Sequence, residues 1–295
     1  MPVACGYAAD CPPAYRPEEV NASAALWHLC NATGKQLLEN QRERAAKACS
    51  RTSTTGGYCL PHLEVMANGE PRVASGLVRR IELPHNQSYL LPYDPTYQSA
   101  NHYEADGRVV ATLAAMALAS PRHGLFLNDL GAGVGQYGHA LLSIQPTAKY
   151  RGYDGAGNVR KWTNGFVHWV DLTMPMSLPR AQWVMSIEVG EHIPSRFEGA
   201  FFRNLHAHNC VGVILSWAAL AQDGQGHINN HKSSYVAETM RSLGYFVNAN
   251  LTNSLRRGAA IPGMPYTARV KNIAAFERFE HVSPCTALPP QCAGR

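Results

Sequence analysis

From Gly124 onward the chain alternates between two kinds of apolar pattern. Short apolar runs at residues 125–130, 150–154, 167–170, 183–187, 211–217, 245–249 and 273–279 read as strands. Between them, residues 136–144, 195–208 and 233–243 carry helical spacing, and 158–164 has room for one short helical turn. Strand-like runs that are apolar on both sides need cover on both sides. Alternation with helices therefore predicts an α/β fold, a mostly parallel sheet with helices on both faces. A further helix is expected over 102–118, with Val109, Val110, Leu113, Ala114 and Met116 as its apolar face and Gly107 weakening its start.

The rest of the 295-residue chain is of a different character. Residues 1–100 form a Cys-rich, partly helical N-terminal extension, 101–280 the main domain and 281–295 a C-terminal tail. Residues 20–50 have helical spacing through Leu26, Leu29, Cys30, Leu37 and Leu38, and 61–100 read as an extension packed on the main domain. Of eight cysteines, Cys5, Cys11, Cys30, Cys49 and Cys59 lie in the first sixty residues, and Cys285 and Cys292 near the end. They are expected to form disulfides in the extensions, with Cys210 a buried thiol inside the core. No CxxC pair occurs. Four N-x-S/T sequons, at Asn21, Asn31, Asn86 and Asn250, join the cysteines in favouring a glycoprotein that is lumenal in the secretory pathway or secreted, over the alternative of a cytoplasmic protein with unpaired thiols.

Net charge is +5, but the cations are scattered, and the basic stretch at 41–51 reads as the solvated face of a helix. Without a basic stripe and interleaved aromatics, nucleic acid is not an expected partner. No apolar run approaches the ~18 residues of a membrane span, and the first residues lack the form of a signal peptide. Nothing in the sequence sets an oligomeric state.

The sharpest local signal is LNDLGAGVGQYGHALL at residues 127–142: a strand ending in an acid, a glycine turn, then a helix. Glycines permit positive φ and remove Cβ atoms where a ligand and the backbone must touch. Gly131, Gly133 and Gly135 satisfy GxGxG, while Gly133, Gly135 and Gly138 satisfy the dinucleotide pattern GxGxxG. In the dinucleotide fingerprint the first glycine follows directly on the strand, which here would be Gly133. Asp154, about 20 residues on at the end of the second strand, suits the hydroxyls of a ribose.

DLGAGVG at 129–135 resembles the first motif of class I S-adenosylmethionine-dependent methyltransferases. The resemblance spans about residues 125–279. GYDGA places Asp154 at the ribose-binding acid, and VDLT places Asp171 at the position that meets adenine. SIEVGEHIP, with Glu188, looks like the fourth-strand motif against the methionine part. GYFVNAN and VKNIAAFER are similar to the closing hairpin, whose seventh strand runs antiparallel between the fifth and sixth. The resemblance implies a seven-stranded Rossmann-like sheet and S-adenosyl-L-methionine as cofactor. Asp129, Gly131, Gly133, Gly135, Asp154, Asp171 and Glu188 would hold it, with Asp129 and Glu188 as acceptors toward its amino-acid end.

Methyl transfer is a direct displacement at carbon, so the protein aligns the reactants and excludes water. A hydroxyl acceptor is helped by a base within hydrogen-bond reach. Position after strand ends selects Glu191 and His192, which follow strand four, and His227 in DGQGHINNH, which follows strand five. His227 is the expected base or substrate contact, and His192 orients the loop or meets cofactor. His102 and Tyr93, Tyr97 and Tyr103 are further candidates for the acceptor side. Glu191, His192, His227 and His231 are donor types that bind metals. They lie among Pro and Gly rather than on a helix, and no aspartate pair typical of metal-dependent O-methyltransferases is apparent, so no metal is expected. The expected function is O-methylation of a small-molecule or glycan hydroxyl. The alternatives are an NAD(P)-dependent oxidoreductase and a non-catalytic module retaining the fold.

Overall fold

The structure is a computed structural model. It describes residues 63–65, 71–73, 78–92, 104–120, 124–176, 178–224, 226–265, 271–282 and 285. The expectations for the helix at 20–50, for His102, Tyr93, Tyr97 and Tyr103, and for every cysteine except Cys210 and Cys285 lie outside these residues.

Two short antiparallel pairs precede the main sheet: β1 (Leu63–Val65) with β2 (Pro71–Val73), and β3 (Val78–Leu83) with β4 (Gln87–Pro92). Tyr89 of β4 is 6% exposed and packs with Ala132, Val134, Val159, Trp162 and Trp169. Helix α1 (Gly107–Leu118) follows, and then β5 (Phe126–Leu130), α2 (Gln136–Ile144), β6 (Lys149–Asp154), the single turn α3 (Val159–Trp162) and β7 (Val167–Trp169). The second half runs β8 (Ala181–Ser186), α4 (Glu198–Ala207), β9 (Asn209–Leu215), α5 (Ser233–Ser242), β10 (Tyr245–Val247), α6 (Ala249–Arg257) and β11 (Ala274–Arg278).

Seven strands form one sheet in the order β10-β11-β9-β8-β5-β6-β7. The pairs from β9 through β7 are parallel, and β11 runs antiparallel to both neighbours. This is the arrangement the methyltransferase resemblance implies, with the last strand inserted second from the edge. Period-two alternation assigns the two faces. Leu127, Trp183, Met185, Ile214 and Ala275 point toward α1, α2 and α6. Leu130, Val184, Val213, Leu215 and Phe276 point toward α4 and α5, where Phe201, Phe202 and Leu205 fill the layer.

Four expectations are corrected. Helix α1 begins at Gly107, not near 102, because the Asp106 side chain caps it by accepting the Arg108 amide at 2.9 Å. Gly107 serves as a docking point rather than a weakness: a Cβ there would stand 3.0 Å from Met264 Cβ and 3.2 Å from the Ile261 nitrogen. The helix expected over 195–208 opens as a separate 3₁₀ turn, Ser195–Phe197, before α4. The strand expected over 245–249 ends at Val247, and α6 occupies the next residues, capped by Asn248 accepting from the Leu251 amide at 2.9 Å.

The fourth correction concerns Cys210. It is not a thiol but is bonded to Cys285, with Cα atoms 5.4 Å apart and 75 residues between them in sequence. The carbonyl of Cys210 also accepts the Val282 amide at 2.9 Å, so the tail is laid along the start of β9. The remaining six cysteines are even in number.

Candidate active site

The sheet's carboxyl edge gathers the glycine turn and the loops after β6, β8 and β9. Strand β5 ends at Leu130, so Gly131 is the first residue of the turn. Gly131, Gly133 and Gly135 have φ of 87°, 57° and 81°, the region that only glycine enters freely. Gly138 is different in kind: a Cβ there would lie 2.2 Å from the Tyr150 ring. The register is therefore that of GxGxG, and the fourth glycine is a packing residue. The turn is tied to the next strand by the Gly131 and Ala132 amides, which donate to the Tyr153 carbonyl at 2.8 and 2.9 Å.

Asp154 sits at the end of β6 and is 6% exposed. Its Oδ2 accepts the Gly133 amide at 2.8 Å and its Oδ1 the Ala156 amide at 2.8 Å. The carboxylate thus clamps the glycine turn, a role that sequence reasoning did not assign. Burial pushes its pKa up to about 6, against the opposing pull of those two amides. Asp129, one strand over, accepts the Tyr150 hydroxyl at 2.8 Å and is pushed up to about 7, chiefly by burial. Asp171 is turned to its own loop, accepting the Thr173 amide at 3.0 Å and the Thr173 hydroxyl at 2.5 Å.

The loop after β8 turns through Glu188, a non-glycine residue at φ 55°. Such a conformation is held by its surroundings. The Glu188 amide donates to Ser216 Oγ at 2.9 Å, Ser216 Oγ donates to Glu188 Oε1 at 2.8 Å, and Gln222 Nε2 donates to Oε2 at 2.8 Å. Gln222 was not anticipated from the sequence. Its side-chain oxygen also meets Asn272 at 3.2 Å.

Gly190–His192 form a 3₁₀ turn after Val189, packed so tightly that a Cβ on Gly190 would enter the Trp217 ring. The carbonyl of Glu191 accepts the Ile228 and Asn229 amides at 2.9 and 3.0 Å, and Trp217 Nε1 donates to the Asn229 carbonyl at 2.6 Å. These bonds weave the loop after β9 into the loop after β8 and bring His227 beside His192, ring centroids 5.1 Å apart. Gly224 makes room, since a Cβ there would overlap the His227 ring.

One donor atom each from Glu191, His192 and His227 lies within 4.8 Å of the others. The fold, not helical spacing, assembles them. His231 stands apart from this group: its Nε2 is 2.6 Å from Glu198 Oε2, where Asn229 Nδ2 also donates at 2.7 Å and the Tyr235 hydroxyl bonds the other oxygen. Glu191 is wholly buried, and neither carboxylate oxygen makes a hydrogen bond of normal geometry among the described residues. Burial first, and the nearby Glu188 charge second, push its pKa well above the carboxylate range. Burial draws His192 down to about 4, leaving a neutral ring. Among the described residues no helix is long and apolar enough to cross a membrane.

No family model and no curated protein matches this chain. Solved structures give likenesses of fold. A magnesium protoporphyrin IX methyltransferase from Synechocystis PCC 6803 with bound SAH matches at TM-score 0.41 and 18% identity, over 58% of this chain and 83% of that one. A 1,6-didemethyltoxoflavin-N1-methyltransferase from Burkholderia thailandensis matches at TM-score 0.38 and 13% identity, over 59% and 79%. An O-methyltransferase from neocarzinostatin biosynthesis matches at TM-score 0.36 and 13% identity, over 59% and 52%.

Proposed function

We propose that the protein is an S-adenosyl-L-methionine-dependent methyltransferase that methylates an oxygen of a small molecule or sugar. The observation that carries this reading is the register of the glycine turn. The first glycine after β5 is Gly131, two residues earlier than a dinucleotide fingerprint requires, and Asp154 braces the turn through Gly133. A sulfonium donor needs close main-chain approach, an acceptor for its ribose and acidic groups toward its amino-acid end, and no phosphate cradle. Asp154 retains further lone pairs for ribose hydroxyls beyond its two amide bonds. Asp129 and Glu188 supply the acidic end, and Asp171 stands at the adenine side. Glu191, His192 and His227 form the acceptor side, where His227 acts on the hydroxyl. The Cys210–Cys285 bond supports a place in an oxidising, lumenal compartment.

The test is calorimetric titration with S-adenosylmethionine and with NAD, followed by transfer of labelled methyl to a panel of phenols, alcohols and sugars. Tight donor binding with label on a hydroxyl supports the reading. Binding of NAD without response to S-adenosylmethionine reverses it, and donor binding with no label on any acceptor returns the chain to a non-catalytic module.

A further inference from the structure

We infer that Glu191, His192 and His227 form a binding site for one divalent cation of the zinc class. The first ground is convergence. Three residues of metal-ligating type, from loops after two different strands, bring their donor atoms within 4.8 Å of one another. Metal–donor bonds of about 2.1 Å place tetrahedral donors about 3.4 Å apart, so a cation needs to draw the widest pair together by about 1.4 Å at most.

The second ground is the pattern of hydrogen bonds behind the ligands. His192 Nδ1 is 3.1 Å from the Gly226 carbonyl, and His227 Nδ1 is 3.0 Å from the Gln222 carbonyl. A carbonyl only accepts, so in both rings the proton sits on Nδ1 and the lone pair on Nε2. Histidines that ligate metals are held in this way, one nitrogen donating to a carbonyl while the other binds.

The third ground is Glu191 itself. A wholly buried carboxyl without a hydrogen bond of normal geometry, beside the Glu188 carboxylate, is costly to keep. Glu188, the nearest carboxylate, is engaged by Ser216 and Gln222, and His231 is engaged by Glu198. Neither belongs to the ligand set.

Two imidazoles and one carboxylate favour zinc, cobalt or iron(II) over magnesium or calcium. Three protein ligands leave coordination positions open, as in sites that bind a reactant rather than brace a fold. If the methyltransferase reading holds, an oxygen of the acceptor is the group to fill them, with His227 acting on it through the cation rather than as its base; the cation site itself does not rest on that reading.

The full 295-residue chain, freed of metal with a chelator, would be titrated with Co²⁺ and followed by visible absorption. One equivalent should develop the bands of a low-symmetry cobalt site, and Zn²⁺ should abolish them. His192→Gln and His227→Gln should each lose the bands, while His231→Gln keeps them. Melting temperature in Zn²⁺ against chelator gives a second reading on the unaltered chain, with Zn²⁺ raising it. Absence of any band, or bands that persist in both His192→Gln and His227→Gln, overturns the proposal. The titration needs no methyl donor, so a failure here is separate from failure of the donor to bind.

Discussion

The amide of Gly133 and the carboxylate of Asp154 are joined at 2.8 Å, across the gap between β5 and β6. One side chain thereby sets the shape of the turn and, on the proposed reading, also meets the donor's ribose. Asp154→Ala leaves the Gly133 and Ala156 amides without their acceptor. We expect a stability loss of about 1–3 kcal/mol and donor affinity lowered about tenfold or more. Thermal denaturation and calorimetry measure the two effects, and unchanged donor affinity would remove Asp154 from the site.

The pH dependence follows from two raised carboxyls, Asp129 at about 7 and Asp154 at about 6. Groups favoured neutral in the folded chain contribute stability that is full below about pH 4 and is lost as pH rises through 6 to 7. The donor-free protein should therefore lose this contribution between about pH 4 and 7. A cationic sulfonium donor prefers the ionised acids, so its affinity should rise over the same interval, with proton release on binding. Calorimetry in buffers of different ionisation heat checks this, and Asp129→Asn should flatten the profile. A donor affinity flat from pH 5.5 to 8 in the unaltered protein contradicts it.

Arg108 and Asp106 form a buried two-pronged ion pair, with Nε and Nη2 donating at 3.0 and 2.8 Å. Arg108 Nη1 also reaches the Arg256 carbonyl at 2.6 Å, joining α1 to the end of α6. Asp106→Ala removes a helix cap and strands a buried cation, a loss of about 3–5 kcal/mol. The double change Asp106→Ala with Arg108→Met should recover part of it. A melting temperature within a degree or two of the parent for the single variant would show the pair to be dispensable.

Gly138→Ala places a methyl group 2.2 Å from the Tyr150 ring. The ring must shift off Asp129, at a cost of about 1–3 kcal/mol. The same position read as part of a dinucleotide motif predicts lost ligand binding with little change in folding. Melting temperature and donor affinity on the one variant separate the two.

Cys285→Ser opens a cross-link spanning 75 residues, for which chain entropy predicts a loss of about 4 kcal/mol. Reductant should lower the melting temperature of the parent protein and leave that of the variant little changed. Equal sensitivity of the two to reductant would mean the bond is absent in solution.

Where local pattern and tertiary demand coincide, the sequence was a sufficient guide. Helix α2 was placed at its observed limits because the glycine turn marks its start and apolar spacing its length. Helix α6 was missed because NANLTNSLRRG is poor in helix formers and buries only Thr252 and Leu255. Its signals were there in Asn248 as cap and in Arg256, Arg257 and Gly258 at the end. The partner of Cys210 was not legible because it lies 75 residues away in a segment without pattern. At the site, every chosen cofactor acid falls at the sheet's carboxyl edge or the loop beside it, but the bonds of Asp154 and Asp171 to nearby loop amides depend on rotamers that spacing does not encode. Glu191 and His227 stand out for their place after strands, and as donor types they group with His192 and His231, but the sequence does not show which of the four meet. Their proximity is a product of the woven loops and of Gln222, which no periodicity reveals.

Those interlaced loops bear on how a site on this fold can change. Ile228 and Asn229 hang from the backbone of Glu191, and Trp217 fastens the crossing. Neither strap keeps its form if the other is replaced, so a graft of one loop from another protein of this fold should lose the crossing altogether. New selectivity on this scaffold would have to be inherited, or engineered, as the matched pair.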